Sequence, residues 1–174
     1  LFPYTTLFRS IRGPHTHDLT GTKISSDKPL AVFSGSHAAF LSPSYRDNWD
    51  NMFEQLTPTN TWGKYFVTLA RPGRTVGDYF KFVANESDTQ VTITGSSINE
   101  TFTLRTAGNY TVKHSRSMVY IKITANKPIF VVQVLSGLAN SEKNLDGSMM
   151  TIVPVEYFGS DYVFPTPRSS LRGY

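Results

Sequence analysis

The chain has no cysteine among its 174 residues. That absence excludes zinc ribbons, thiol nucleophiles and disulfide scaffolds, but it leaves the compartment open, because secreted domains with an adequate core can lack disulfides. Charge is also sparse: the 17 Lys and Arg and the 13 Asp and Glu are scattered singly. Without a basic cluster, the sequence predicts no nucleic-acid interface. No apolar run approaches the roughly 18–20 residues that cross a bilayer, so no membrane span is predicted.

The start of the chain differs in character from the rest. Residues 1–10 (LFPYTTLFRS) resemble a translation of a widely used short-read sequencing adapter. We therefore predict that this segment is non-native and packs poorly, and that the native fold starts at Ile11. The chain has no initiating Met and no signal peptide, so we interpret it as a fragment.

Two stretches of the sequence recur in the same order. Residues 23–32 (KISSDKPLAV) match residues 122–131 (KITANKPIFV) at five of ten positions. Residues 56–67 then match residues 152–163, where Leu-Thr-Pro corresponds to Ile-Val-Pro and Trp-Gly corresponds to Phe-Gly. Duplication of one module in tandem explains both matches. The predicted organisation is a non-native segment (1–10), the back half of a first module (11–67), a nearly complete second module (68–167) and a truncated tail (168–174).

Each copy combines two kinds of strand pattern. Apolar residues alternate over 119–123, which is typical of a strand with one buried face. A turn is predicted at 125–127, before Pro128 opens a continuous apolar run at 129–132. Such a run is typical of a strand buried on both faces. Residues 24–33 are expected to repeat this arrangement.

The middle of the chain is equally rich in strand patterns, and no segment carries a helical stripe. Turn residues separate short strands about every 8–12 residues, which is typical of a sandwich or barrel. Gly108 or Asn109 is expected to take a positive φ in a hairpin turn. We predict an all-β fold of antiparallel β-sandwich modules in tandem repeat; the alternative is a set of β-propeller-like blades. Alternating apolar residues mark strands at 80–84, 91–93, 102–104 and 110–112.

Three ordered strings of residues resemble a known family. Residues 18–24 (DLTGTKI), 27–35 (DKPLAVFSG) and 54–64 (EQLTPTNTWGK) are similar to the N-terminal domain family of IgGFc-binding protein. The resemblance extends over roughly residues 18–167. It implies an extracellular, mucus- or cell-surface-associated protein, in a family whose mucin-like namesake was named for binding the Fc region of immunoglobulin G. Many relatives carry cysteines where residues 36–51 of this chain have none.

Polar residues with catalytic or metal-binding chemistry do not converge in the sequence. His15 and His17 lack a third ligand of fixed geometry, and the hydroxyls beside His37 lack an acid to orient that histidine. Asp47 and Asp50 share a loop, but their spacing is not that of a twelve-residue calcium loop. We therefore predict a non-enzymatic protein with no catalytic, cofactor or metal residues.

Aromatic residues, 13% of the chain, are the remaining candidates for binding. Tyr45, Trp49 and Asp50 are predicted to lie in a ligand-contact loop on the rim of the sandwich. Trp62 has two interpretations, because it either contacts a ligand or caps the core, as Phe158 would in the second module. The sequons predict N-glycosylation, if the protein is secreted, at Asn85, Asn99 and Asn109.

The first functional hypothesis is an extracellular binding or adhesion module with a protein or glycan ligand. Immunoglobulin Fc enters only through the family name. The alternative is an architectural spacer whose repeats stack on neighbouring modules of the same parent chain and bind nothing themselves. A hydrolase fragment without its catalytic half is a third hypothesis. An exposed apolar edge is also expected near residues 23–33, because the first module lacks its front half.

Overall fold

Alternating apolar residues produce strands with one buried face. Phe82 and Val91 are completely buried, each in the middle of a strand, as the pattern predicts. Among the described residues the regular structure consists of antiparallel strands and two 3₁₀ helices, so the all-β antiparallel prediction is confirmed. The computed structural model describes residues 9–14, 17–39, 50–69, 77–96, 98–115, 120–135, 138–140, 143–145 and 147–165.

The elements are β1 (Val32–Ala39), β2 (Asp50–Leu56), the first 3₁₀ helix (Thr59–Thr61), β3 (Gly63–Thr68), β4 (Tyr79–Ala84), β5 (Thr89–Gly95), β6 (Asn99–Leu104), β7 (Tyr110–His114), β8 (Ile121–Leu135), β9 (Leu138–Asn140), β10 (Lys143–Leu145), β11 (Ser148–Thr151) and the second 3₁₀ helix (Val155–Tyr157). Seven of the strands form one curled sheet around β8. The first half of β8 pairs with β3 and β5, and its second half pairs with β4 and β11. β6 pairs with β5, and β7 pairs with β4. β1 with β2 and β9 with β10 form separate two-stranded sheets. The sandwich of tandem modules stays a prediction.

β8 is one continuous strand with a bulge in its middle. Gly63 and Tyr65 of β3 lie opposite Ile129 and Thr124 of β8, so two steps along β3 span five along β8. Surplus residues of this kind bend a strand without reversing it. The turn predicted before Pro128 is therefore wrong. Proline is tolerated in the bulge because a bulge residue need not donate to the ladder.

The strands that flank β8 change at the level of its bulge. Along one edge of β8, β5 pairs with its first half and β4 pairs with its second half. On the outer side of these two strands, β6 pairs with β5 and β7 pairs with β4. At the bend between β6 and β7, Gly108 has a φ of +77°, as expected. The Gly108 N–H donates to the carbonyl of Ala84 at 2.8 Å. The hairpin predicted here is wrong, because β6 and β7 pair with different strands.

The second half of β8 is buried on both faces, as its continuous apolar run predicts. Ile129 and Val131 face an inner core between the two halves of the curled sheet, and both are completely buried. Phe130 and Val132 point the other way, into a smaller cluster that we call the junction cluster. Burying each such side chain contributes about 1.5–3 kcal/mol. The junction cluster comprises Val83, Phe130 and Val132, with Leu56, Trp62, Val134 and Met149 packed against them.

The repeated sequence blocks share a hairpin register. In β1 and β2, Val32 lies opposite Leu56. In β8 and β11, the corresponding Val131 accepts a hydrogen bond of 3.0 Å from the N–H of Ile152. Each hairpin is followed by a proline and a 3₁₀ helix of three residues.

The two blocks differ before their hairpins. Residues 22–31 form no strand, whereas their counterpart is the first half of β8. As expected, apolar side chains are exposed in this part of the first copy: Ile24 and Leu30 are each 52% exposed. The module boundaries stay predictions.

Candidate functional site

The predicted ligand-contact loop connects β1 to β2. Tyr45 and Trp49 lie outside the described residues. Asp50 is the first residue of β2 and lies opposite Ala39 of β1. The loop therefore starts from the end of a two-stranded sheet, and its role in binding stays a prediction.

A cleft of about 320 Å³ opens between the two 3₁₀ helices. One wall comes from the first sequence copy and the other from the second, so the cleft lies where the two copies meet. Most of the lining is apolar, and three threonines supply hydroxyl groups. The lining residues are Thr57, Pro58, Thr61, Trp62, Phe66, Ile129, Phe130, Thr151, Ile152, Val153, Pro154 and Tyr157.

Trp62 forms one wall of the cleft and is held in place on two sides. Its ring stacks on Phe130 with the centroids 5.5 Å apart. Its indole Nε1 donates to the carbonyl of Thr57 at 3.2 Å. Trp62 therefore packs on the junction cluster, which agrees with the core interpretation, and it also borders the cleft. The same role predicted for Phe158 is wrong, because that side chain is 56% exposed.

The opposite wall is tied to β3 by polar contacts. The carboxylate of Glu156 accepts hydrogen bonds from the backbone N–H groups of Lys64 at 2.7 Å and Tyr65 at 3.2 Å. The hydroxyl of Tyr157 donates to the carbonyl of Asn60 at 3.0 Å. These contacts hold the two 3₁₀ helices at a fixed separation, so the cleft is preformed.

One buried hydroxyl beside the cleft has no partner among the described residues. Thr151 Oγ1 is buried, and among the residues that the structure describes it makes no hydrogen bond. Buried hydroxyl groups are normally hydrogen-bonded, because an unpaired one costs free energy. Because Oγ1 is shielded from solvent, a molecule in the cleft reaches it only if the Thr151 side chain rotates. Sequence patterns did not single out Thr151, since its burial depends on the packing of β11 against β8.

The three sequon asparagines are all exposed. Asn85 lies between β4 and β5, and Asn99 is the first residue of β6. Asn109 lies in the bend between β6 and β7, where its Oδ1 accepts from the backbone N–H of Arg105 at 3.1 Å. Exposure is compatible with glycosylation, which stays a prediction.

Ionisable side chains form no metal-binding group of three within the part of the chain that the structure describes. His15 and Asp47 lie outside that part. His114 lies against the ring of Tyr79 with the centroids 4.5 Å apart. A buried polar pair was missed by the sequence analysis: Gln133 Nε2 donates to Asp78 Oδ2 at 2.7 Å. Its signal in the sequence is the glutamine within an otherwise apolar run.

A charged contact fastens the segment before β1 to the sheet. Asp18 Oδ2 lies 2.9 Å from Lys81 Nζ of β4. The N–H of Thr20 also donates to Asp18 Oδ1 at 2.9 Å. Partial burial opposes ionisation of Asp18, but the hydrogen bonds from Thr20 and Lys81 outweigh it and lower the pKa from the usual 3.8 to about 2. Close by, Gly21 has a φ of +86°, and a Cβ there would overlap the backbone of Gly108.

We expect this contact to weaken in acid. Because the pKa of Asp18 is lowered on folding, its stabilising effect is fully present above about pH 4 and is lost as the pH falls toward 2. The amide signal of Thr20 in an NMR titration should therefore move with a midpoint near pH 2. The Asp18→Asn variant should abolish that titration. A midpoint near 4 would show that Lys81 and Thr20 do not stabilise the carboxylate.

Comparison with known proteins identifies the family. The family model described as "IgGFc binding protein" matches residues 4–174. The chain belongs to this family. Human IgGFc-binding protein is 27% identical over 146 residues, which cover 84% of this chain and 3% of the relative. The chain thus spans a small part of that relative's length, and no solved structure matches it.

The family match agrees with the resemblance of the three sequence strings and bears on two further predictions. The family is named for binding and not for catalysis. The match begins at residue 4, inside the segment predicted to be non-native, so the origin of residues 1–10 stays a prediction. Among the described residues, no helix has the length and apolar character needed to cross a membrane.

Proposed function

We propose that this chain is a non-enzymatic extracellular binding module that holds a protein ligand in the cleft between its 3₁₀ helices. The observation that carries the proposal is the preformed apolar cleft, lined in part by Thr151, whose buried hydroxyl has no partner among the described residues. A site of this kind gains affinity from an inserted apolar side chain and gains orientation from one hydrogen bond. Immunoglobulin Fc is the first ligand to test, because the human relative is named for it.

The size and chemistry of the cleft favour part of a protein over a large cofactor. Its volume of about 320 Å³ is at the low end for small-molecule sites and suits one or two apolar side chains. Trp62 and Tyr157 offer rigid aromatic walls, and Pro58 and Pro154 offer flat apolar ones. Aromatic residues with little rotamer freedom are typical anchors of protein interfaces. Rotation of the Thr151 side chain then lets its hydroxyl pair with a backbone group of the inserted segment.

The loop between β1 and β2 is proposed as a second contact. Tyr45 and Trp49 supply aromatic side chains and Asp50 supplies a charge, which are residue types that recur in binding loops. A glycan ligand would use the same aromatic faces. We also propose that the exposed sequons carry glycans when the protein is secreted.

The main test is binding of immobilised Fc, with Fab as the negative control. Thr151→Val replaces the hydroxyl with a methyl group of similar size and should weaken binding about 2- to 10-fold, since a net hydrogen bond is worth about 0.5–1.5 kcal/mol. Its melting temperature should stay equal or rise, because a buried unpaired hydroxyl disappears. Thr103→Val, at an exposed position of β6, is the matched control and should change neither quantity.

Other outcomes of this experiment identify the site or reject it. Trp62→Ala should abolish measurable binding by opening the wall of the cleft. If Trp49→Ala removes binding while Thr151→Val and Trp62→Ala do not, the loop is the site and the cleft proposal fails. If immobilised Fc does not bind the wild-type chain, the Fc region of immunoglobulin is not the ligand.

An architectural spacer is the second candidate, and one observation favours it. β3 follows the first repeated hairpin, yet it pairs with β8, which belongs to the second copy. The copies therefore share a sheet. A chain of such modules would be joined by strands passed from one module to the next, with no ligand required.

A further inference from the structure

β3 completes a sheet whose other strands come later in the chain. Phe66 of β3 lies opposite Ile123 of β8, and both side chains are almost completely buried in the inner core. Val67 lies opposite Lys122 in the same ladder. We call β3 the donor strand, because the first sequence copy contributes it to the sheet of the second copy. We call the first half of β8 the acceptor strand, because it pairs with β3.

The second copy contains the counterpart of this donor strand. Residues 159–164 follow the second 3₁₀ helix as β3 follows the first, and Tyr162 takes the place of Phe66. Among the described residues this segment pairs with no strand. Tyr162 is 66% exposed, Val163 is fully exposed and Phe164 is 74% exposed. The Tyr162 hydroxyl accepts a hydrogen bond from the N–H of Gly159 at 2.6 Å, within the same segment.

The first copy contains the counterpart of the acceptor strand. Residues 22–25 correspond to the first half of β8, and they also lack a strand partner among the described residues. Ile24 is 52% exposed, whereas its counterpart Ile123 is completely buried. The donor and acceptor segments are therefore both present in one chain, each with an exposed apolar side chain and without a strand partner among the described residues.

A second pair of complementary surfaces accompanies these segments. Phe33 and Phe53 stack with their centroids 5.1 Å apart on the outer face of the β1–β2 hairpin, and they are 51% and 67% exposed. Their counterparts in the second copy, Val132 and Met149, belong to the junction cluster on which Trp62 packs. The counterpart of Trp62 is the exposed Phe158.

We propose that this chain self-associates head to tail, with residues 161–164 of one copy pairing antiparallel with residues 22–25 of a second copy. The register follows from that of β3 and β8, so that Tyr162 lies opposite Ile24 and Val163 lies opposite Lys23. Phe158 of the first copy packs against the aromatic pair on the hairpin of the second. Because the two surfaces differ, the contact is heterologous and can extend beyond two copies.

Sedimentation of the full chain over a range of concentrations tests the association. The wild type should form species of two or more copies. Tyr162→Asp should abolish them by disabling the donor, and Ile24→Asp should do so by disabling the acceptor. Both positions are exposed, so neither change threatens folding. Val112→Asp, at a position of β7 that is 46% exposed, is the matched control and should associate like the wild type.

Mixing the two disabled variants gives the decisive result. Tyr162→Asp keeps its acceptor and Ile24→Asp keeps its donor, so the mixture should form a one-to-one complex and nothing larger. A wild type that stays monomeric at every concentration overturns the proposal. So does a mixture that stays monomeric while the wild type associates, since the contact would then not join these two segments.

Cysteine cross-linking tests the register, and the lack of native cysteine makes the assay clean. Under oxidation, Lys23→Cys mixed with Val163→Cys should give a disulfide-linked dimer, because paired positions in a ladder come within disulfide reach. Lys23→Cys mixed with Val112→Cys should give none. Equal yields from the two mixtures would exclude the proposed pairing. The assay involves no Fc, so its result is independent of the proposed binding function.

Discussion

Replacing Phe82 with Ala should lower the free energy of unfolding by about 3–5 kcal/mol, which is the range for truncating a buried Phe. Phe82 is completely buried in the middle of β4. It lies opposite Val131 of β8 on one side and Thr111 of β7 on the other. Its ring also meets Phe102 edge-on at 5.4 Å, a contact worth about 0.5–1.5 kcal/mol beyond burial. A cavity here would lie where both halves of the curled sheet converge.

The measurement is urea denaturation followed by circular dichroism in the strand region. Tyr120→Ala is the matched control, because this aromatic residue is 69% exposed and its truncation should change stability by less than about 0.5 kcal/mol. The dependence of the free energy of unfolding on urea concentration should be the same for the wild type, Phe82→Ala and Tyr120→Ala if the folded state is retained. Similar losses in both variants would show that the inner core does not depend on Phe82.

The strands could be predicted because burial has a local period. The alternation that includes Phe82 and the continuous apolar run at 129–132 report directly on which faces of each strand are covered. Gly108 could be predicted for a similar reason, since few residues other than glycine tolerate its positive φ. These features depend on neighbours within a few positions of the chain.

Strand partners could not be predicted in the same way. The repeated Lys-Pro block adopts strand geometry in β8 but not at residues 23–31, although five of ten positions are identical. Only the second block is flanked by β3 and β5, which satisfy its backbone on both edges. The bulge that contains Pro128 has the same origin, because the partner of β8 along one edge changes from β5 to β4 at that level. The residue types at 125–128 predict a turn that reverses the chain, whereas pairing with strands on both edges keeps β8 continuous.

The candidate site depends on pairings that the sequence does not specify. The sequence indicates that Trp62 is either a core or a binding residue, and the structure places it on the junction cluster and at the border of the cleft. The opposite wall of the cleft comes from the second 3₁₀ helix, which Glu156 ties to β3 through contacts that span 91 or more positions of the chain. No spacing rule connects residues so far apart. Thr151 became a candidate only because the fold buries its hydroxyl and leaves it unpaired.

The second large effect is expected from Asp78→Ala, which should lower the free energy of unfolding by about 1.5–3 kcal/mol, the worth of a hydrogen bond to a charged group. Asp78 is 3% exposed, and its Oδ2 accepts from Gln133 Nε2 at 2.7 Å. Gln133 itself is 4% exposed within the doubly buried half of β8, so its amide would lose that acceptor in a place that water does not reach.

Chemical denaturation of three variants separates this loss from a general effect of removing acidic residues. Asp78→Asn keeps a carbonyl oxygen that can still accept from Gln133, so its loss should be smaller than that of Asp78→Ala. Asp27→Ala removes an exposed carboxylate and should stay within about 0.5 kcal/mol of the wild type. If Asp78→Ala and Asp27→Ala were equally stable, the buried pair would contribute nothing net, and Gln133 would have to be satisfied by another group.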